Sequence, residues 1–321
     1  MTVVDRIKKL EKIGNELKEA IRTSLEREPP TIIFHPSRKP DSDEFKALFL
    51  ISTGNSLEYD IRAAKEGYPV KHETATSKMN IWDVLLGNGI ESVESILGRK
   101  RTDTLMRIAG KRDKSGRPFS INTFKDNIYV KDLTLEELQR LGKAGGEEIL
   151  GLGQFLDLYG NALDRGVRPG RLSVDVKDGD ENTHGNSKMA KKVTQSIIDE
   201  MNKRGLEDNL FMFMQYSIPA FKASRRIVGN LAHSVCIFPS SIISSYGEDI
   251  FKAYAGKAIA ETGAEWIGCK TGELKVLDSV ISGSEERSIM VYAPPKESAD
   301  IPVLMKMLRR YPGIKALQLD V

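Results

Sequence analysis

Cysteine is almost missing from this chain: Cys236 and Cys269 are the only two in 321 residues. Two thiols cannot staple a fold of this size, so both are expected as small buried apolar side chains in a reducing compartment. No uncharged apolar run approaches the roughly 20 residues of a membrane span. The opening "MTVVDRIKKLEKIGNEL" is charged throughout, so no secretory leader is expected there and no membrane insertion. Histidine is scarce as well. His35, His72, His184 and His233 are the four, and no two stand at metal-ligand spacing.

Phosphate loops are also lacking. "YAGKAIA" offers Gly256-Lys257, but Ala258 stands where a hydroxyl is needed, and in "GCKTG" Cys269 replaces the glycine. The glycines of "GKAGG" fall in a helical pattern, where they permit close packing or a break. The acidic stretch "DVKDGDENTHG" places Asp178, Asp180 and Asn182 at alternating positions, yet Thr183 and Met189 occupy the glycine and glutamate positions of a calcium loop. The serines of "FPSSIISSYG" sit in no nucleophile elbow. No catalytic residue, metal or cofactor is therefore expected from motifs, although active sites also assemble from scattered residues.

What the chain does have is helical periodicity and unevenly placed positive charge. Val3, Ile7, Leu10, Ile13, Leu17, Ile21 and Leu25 recur at steps of three and four, one apolar stripe ended by Pro29-Pro30. Two readings are open: a helix folded back on its own domain, or an arm buried on a neighbouring subunit. "TIIFHP" and "KALFLIS" read as short strands, and "DLTLEELQRLGKAGGEEILGLGQFLDLYG" as two helices. "RGVRPGRLSVDVKDGDENTHGNSK" is the longest turn-rich stretch, and the region from there to about Thr262 reads mostly helical. "RSIMVYAPP", "ADIPVLMKMLRRYPG" and "IKALQLDV" suggest a closing β-α-β unit. The expected fold is mainly α and two-lobed, with minor β structure near each end. Its parts are an arm (1–28), an N-terminal lobe (29–164), a hinge (165–187), a C-terminal lobe (188–284) and an extension (285–321).

Net charge is only +3, but residues 99–117 hold eight Lys or Arg against two Asp. Such asymmetry points to a polyanion. Arg99, Lys100, Arg101, Arg107, Lys111 and Arg112 belong to this run with Lys114 and Arg117, and Phe119 follows just beyond. Lys188, Lys191 and Lys192 share one helix face, and Lys222, Arg225 and Arg226 another. Guanidinium forks suit phosphate, and Tyr216 and Phe221 could stack bases. These residues are the candidate lining of a groove for single-stranded RNA.

Two passages resemble nucleoproteins of segmented, bunyavirus-type negative-strand RNA viruses: "KDLTLEELQRLGKAG" (131–145) and "LFMFMQYSIPAFKASRRI" (210–227). The resemblance implies a non-catalytic protein that encapsidates single-stranded RNA in the virion and host cytoplasm. It would self-associate through an exchanged arm (Val3, Ile7, Leu10, Leu17 and Ile21) and meet a viral polymerase. Two alternatives stand beside it. One is the coat protein of a filamentous plus-strand virus. The other is a magnesium-dependent cytoplasmic enzyme acting on a phosphorylated substrate through Asp175, Asp178 and Asp180.

Overall fold

In the computed structural model, the nine strands found among the described residues form one sheet. The structure describes residues 3–35, 42–51, 55–65, 69–71, 81–87, 89–115, 118–177, 187–238, 241–281, 287–298 and 300–320. The strands are β1 (Thr31–His35), β2 (Ser56–Ala63), β3 (Pro69–Lys71), β4 (Arg171–Lys177), β5 (Leu210–Gln215), β6 (His233–Ile237), β7 (Trp266–Lys270), β8 (Ser288–Ala293) and β9 (Ile314–Asp320). β2 pairs in parallel with β4, and β4 to β9 each pair in parallel with the next. β1 lies parallel between β9 and β2, so eight strands close into a barrel. β3 runs antiparallel along β2 and stays outside the ring. Helices connect successive strands, which makes this a (β/α)8 barrel of the TIM type.

The expectation of two mainly helical lobes is corrected by this topology. Strands buried on both faces read as continuous apolar runs rather than alternating ones. "LFMFMQ" is β5, with every residue buried, although its sequence fits a buried helix equally well. "HSVCI" and "WIGCK" are likewise strands, and "RLSVDVK", inside the expected hinge, is β4. "KALFLIS" errs in the other direction: Ser42–Ile51 is a helix whose Phe45 and Phe49 pack on Phe155.

The N-terminal stripe forms the helix Val3–Leu25. Leu17 and Ile21 are buried in this chain's own core, and Gly14 lets the helix approach β1, where an added Cβ would lie 3.3 Å from Phe34. Arg27 then donates to the carbonyls of Leu308 and Pro312, at 2.9 and 3.0 Å. The side chains of Val3, Ile7 and Leu10 lie outside the described residues.

Side chains alternate along each strand. Leu57, Tyr59 and Ile61 of β2 face outward into the main core, where Tyr59 stacks on Phe155 at 4.1 Å. Ile33, Met212, Met214, Val235, Met290 and Ala316 form a separate apolar cluster, the plug inside the barrel.

Between β3 and β4 the chain builds a helical insertion with its own core, including Trp82, Leu105, Phe124, Leu138 and Leu141. Its helix Leu135–Ala144 starts at a reciprocal cap, Thr134 with Glu137. Gly142 is the close-packing point: a Cβ there would meet the Glu147 carbonyl at 2.8 Å and Ile149 at 2.9 Å. Backbone gives way poorly, so Gly142→Ala is expected to destabilise the fold by about 1–3 kcal/mol, read as a lower urea midpoint.

Candidate active site

The carboxyl ends of the barrel strands converge on a cavity of about 340 Å³. Next to its lining residues His35 and Lys177, β2 carries Glu58 and Asp60, two residues apart and therefore on one face. β4 contributes Asp175 and Lys177 in the same way. The register sets Asp60 beside Asp175. β1 ends at His35, and Tyr216, directly after β5, reaches the same point.

Glu58, Asp60 and Asp175 are all buried. Lys177 compensates them: its Nζ bonds Asp175 Oδ2, lies 3.5 Å from Asp60 Oδ2, and donates to the Tyr216 hydroxyl at 2.7 Å. Tyr216 in turn donates to Asp175 Oδ2 at 2.5 Å. His35 Nε2 stands 3.4 Å from Asp60 Oδ2.

Three carboxyl groups against one lysine and one histidine cannot all behave alike. Burial alone would raise Asp60, but Lys177 and His35 overcome it and hold this carboxyl well below the ordinary range. Glu58 goes the other way: burial raises it well above, His35 opposes, and Asp60 adds repulsion. Burial raises Asp175 too, against the pull of Lys177. Lys177 is penalised by burial, yet Asp175 and Asp60 lift it well above its usual value. Burial, then Asp175, pushes the Tyr216 phenol well up, so it remains a donor.

Carboxylate oxygens are left over. Both carboxylate oxygens of Glu58 are buried with no hydrogen-bond partner, as is Asp175 Oδ1. Buried carboxylate oxygens are costly without a donor. Donor atoms of His35, Glu58 and Asp60 all lie within 4.8 Å of one another, and Asp175 is beside Asp60. Hard oxygen donors of this kind fit Mg²⁺ or Ca²⁺, and a cation would satisfy the orphaned oxygens.

The rim is cationic and apolar. Lys270, ending β7, is exposed and borders the cavity. Tyr292, Phe238 and Met214 form apolar wall. Cys236 and Cys269 are free and buried; burial pushes the Cys236 thiol up to about 12 and raises Cys269 further, so neither is a nucleophile at neutral pH.

Of the residues expected to line an RNA groove, Tyr216 alone borders this cavity. Arg99, Lys100, Arg107 and Lys111 are exposed on the insertion helix Arg99–Arg112. Arg101 on that helix is paired with Glu137 and Arg112 with Asp132. Lys188, Lys191 and Lys192 are exposed on the outer helix Ser187–Asn202, and Arg226 on Ile218–Val228. Phe221 is buried, Lys222 meets Glu261 at 2.9 Å, and Arg225 donates to the carbonyls of Thr262 and Gly263. Arg117, His72, Asp178, Asp180, Asn182 and His184 lie outside the described residues.

Motif reading passed over Glu58, Asp60 and Lys177 and left His35 unpaired. The signal was a polar or charged residue at every second position of two apolar runs, "SLEYDIRA" and "RLSVDVK". A buried strand carries charge at period two only where one face is polar.

No protein-family model matches this sequence, and no curated protein matches it. Solved structures do share its fold. A glycerophosphodiester phosphodiesterase from Parabacteroides distasonis ATCC 8503 superposes with a TM-score of 0.53 at 11% identity, over 90% of this chain and 91% of that one. Proteins provisionally assigned that activity, from Galdieria sulphuraria and Silicibacter pomeroyi DSS-3, give 0.51 at 15% and 0.52 at 13% identity. They cover 90% and 93% of this chain, and 93% of each of theirs. At such identities the likeness establishes the fold alone.

The barrel overturns the nucleoprotein expectation and what went with it: encapsidated RNA, a viral polymerase, assembly in a virion, host cytoplasm and the absence of catalysis. The same holds for the filamentous coat protein. The two passages behind the resemblance are an insertion helix with its cap (131–145) and a barrel strand with its following helix (210–227). No helix among the described residues is long and apolar enough to cross a membrane.

Proposed function

We propose that this chain is a divalent-cation-dependent phosphodiester hydrolase, with glycerophosphodiesters as its first substrate class to test. The observation that carries this is the buried set Glu58, Asp60 and Asp175, with Lys177 among them, at the carboxyl mouth of the barrel. Barrels of this class place their chemistry at that face. The phosphodiesterases that share the fold support the substrate class.

Glu58, Asp60 and Asp175 would hold the cation, with His35 at its edge. Bound there, it would supply positive charge for a phosphoryl oxygen and lower the pKa of a coordinated water. The chain's own groups do the rest. Lys177 and Lys270 offer ammonium donors to the phosphate oxygens, and Tyr216 fixes Asp175. His35 Nε2, 3.4 Å from Asp60 Oδ2, places an imidazole at the mouth beside the carboxylates. One water is consumed as a P–O ester bond breaks, giving a phosphomonoester and an alcohol. Tyr292 and Phe238 provide apolar contact for the alcohol portion.

Protein stripped with EDTA and assayed on glycerophosphocholine, glycerophosphoethanolamine and bis(4-nitrophenyl) phosphate provides the test. Turnover is expected only after Mg²⁺, Ca²⁺ or Mn²⁺ is restored. Equal rates with and without chelator would refute the cation's role, and no hydrolysis of any of the three would refute the activity.

A further inference from the structure

The opposite mouth of the barrel holds a second cavity, of about 350 Å³, within the roughly 300–1,000 Å³ of small-molecule pockets. Arg171 opens β4 and Lys177 ends it, so about 20 Å of strand separates this end from the carboxylates. In such barrels the amino end ordinarily serves stability. Here it is neither apolar nor sealed.

Three aromatic rings meet there. His233 lies against Trp266 with centroids 4.8 Å apart and planes 32° apart, and Phe211 meets His233 edge-on at 5.5 Å. His233 is exposed and Trp266 only partly covered. Two guanidinium groups flank the rings. Arg171 sits over Phe211 at 5.2 Å and donates to the Leu210 carbonyl at 2.8 Å, with no carboxylate partner among the described residues. Arg225 donates to the carbonyls of Thr262 and Gly263 at 2.7 and 2.9 Å; its other terminal nitrogen lies 3.8 Å from Glu265, a largely exposed side chain. The Ser234 hydroxyl, on the cavity wall, is buried without a hydrogen-bond partner. Burial and Arg171 push His233 down from its usual range, so at neutral pH it presents a neutral ring.

Carbonyl contacts hold both arginines in place; Arg225 also faces the exposed Glu265 on the cavity wall, while Arg171 keeps its positive charge beside the partly open rings of His233 and Trp266. Guanidinium donors suit a phosphate, and the rings suit a flat base. We propose that the amino-terminal mouth of the barrel is a second ligand site, taking a small anion that carries a flat aromatic ring, of the nucleoside monophosphate kind. The site is separate from the proposed hydrolytic centre and does not depend on it.

The chain has two tryptophans, of which Trp82 is buried in the insertion; Trp266 therefore reports on this cavity. AMP, adenosine and inorganic phosphate would each be titrated into the full chain, followed by tryptophan emission and calorimetry. AMP is expected to saturate at or below millimolar concentration, with adenosine and phosphate each weaker by about tenfold or more. Arg171→Gln and His233→Ala should each weaken AMP by about tenfold, while Lys270→Met, at the other mouth, should not change it. Circular dichroism would confirm that each variant is folded, and His233, being exposed, is the safer of the pair. No saturable binding of AMP would overturn the proposal. So would phosphate binding as tightly as AMP, indifference to both substitutions, or loss of binding in Lys270→Met.

Discussion

Glu58→Gln is expected to abolish hydrolysis while raising the stability of the cation-free protein. Glutamine keeps the shape of the side chain and removes a charge that is fully buried, meets no donor, and lies beside Asp60. Its amide can donate to Asp60 at every pH, where the glutamate side chain can do so only while protonated and repels Asp60 once ionised. Groups merely supporting a metal ligand are worth about 10–100-fold, so losing a ligand should cost more than about 100-fold in kcat/KM. The stability change has a pH signature. A carboxyl raised in the folded state favours folding below its unfolded value, about 4.3, and loses that contribution as pH rises through the folded one. The variant's advantage over the parent should therefore grow between pH 4 and pH 8 in EDTA and shrink when Mg²⁺ is added. Melting curves at the two pH values, with and without the ion, measure this. An active Glu58→Gln enzyme would remove Glu58 from the site, and a destabilised one would mean that the parent's carboxyl has a partner.

Lys177→Met should have the opposite effect on stability. The substitution keeps the length of the stem and deletes the charge that faces Asp175 and Asp60, both almost completely buried. Removing one member of a buried ion pair typically costs about 3–5 kcal/mol because the other charge is left uncompensated. Lys177 itself retains 24% exposure, so the lower end, about 3 kcal/mol, is expected. Urea denaturation in EDTA would show it, and divalent cation should recover part of the loss by supplying charge in the same place. Unchanged stability in EDTA would mean that water already screens the pair. Hydrolysis should fall with either outcome, since the ammonium group faces the cavity.

How much of this was legible beforehand differs from element to element. The first strand, the last strand and the N-terminal helix were readable, since flanking turns and prolines mark their ends. β5, β6 and β7 were not, because a strand buried on both faces loses the alternation that distinguishes it from a helix. Basic helices were found where they lie, but sequence spacing shows a shared face, not what the face meets; Arg101 and Arg112 turned out to hold Glu137 and Asp132. The site was the least visible part. Its residues come from β1, β2, β4 and the start of the segment after β5, and only barrel closure brings them together. Asp175 was named for the enzyme alternative; its partners among the described residues are Lys177 and Tyr216, and Asp178 and Asp180 lie outside them.

The closure of the barrel also dictates an order of events during synthesis. β1 matches β2 over only two residue pairs but β9 over five, with Thr31 opposite Ala316. At translation rates of 5–20 residues per second, the first strand waits roughly 15–60 s for its principal neighbour. Throughout that interval a strand of "TIIFH" has an open edge, a template for pairing with another chain. The helix Val3–Leu25, made earlier, has its apolar stripe ready before any of its final neighbours exist. For this protein the hazardous species is the nascent chain, and slowing the ribosome near the end of the message should lower soluble yield without altering the finished fold.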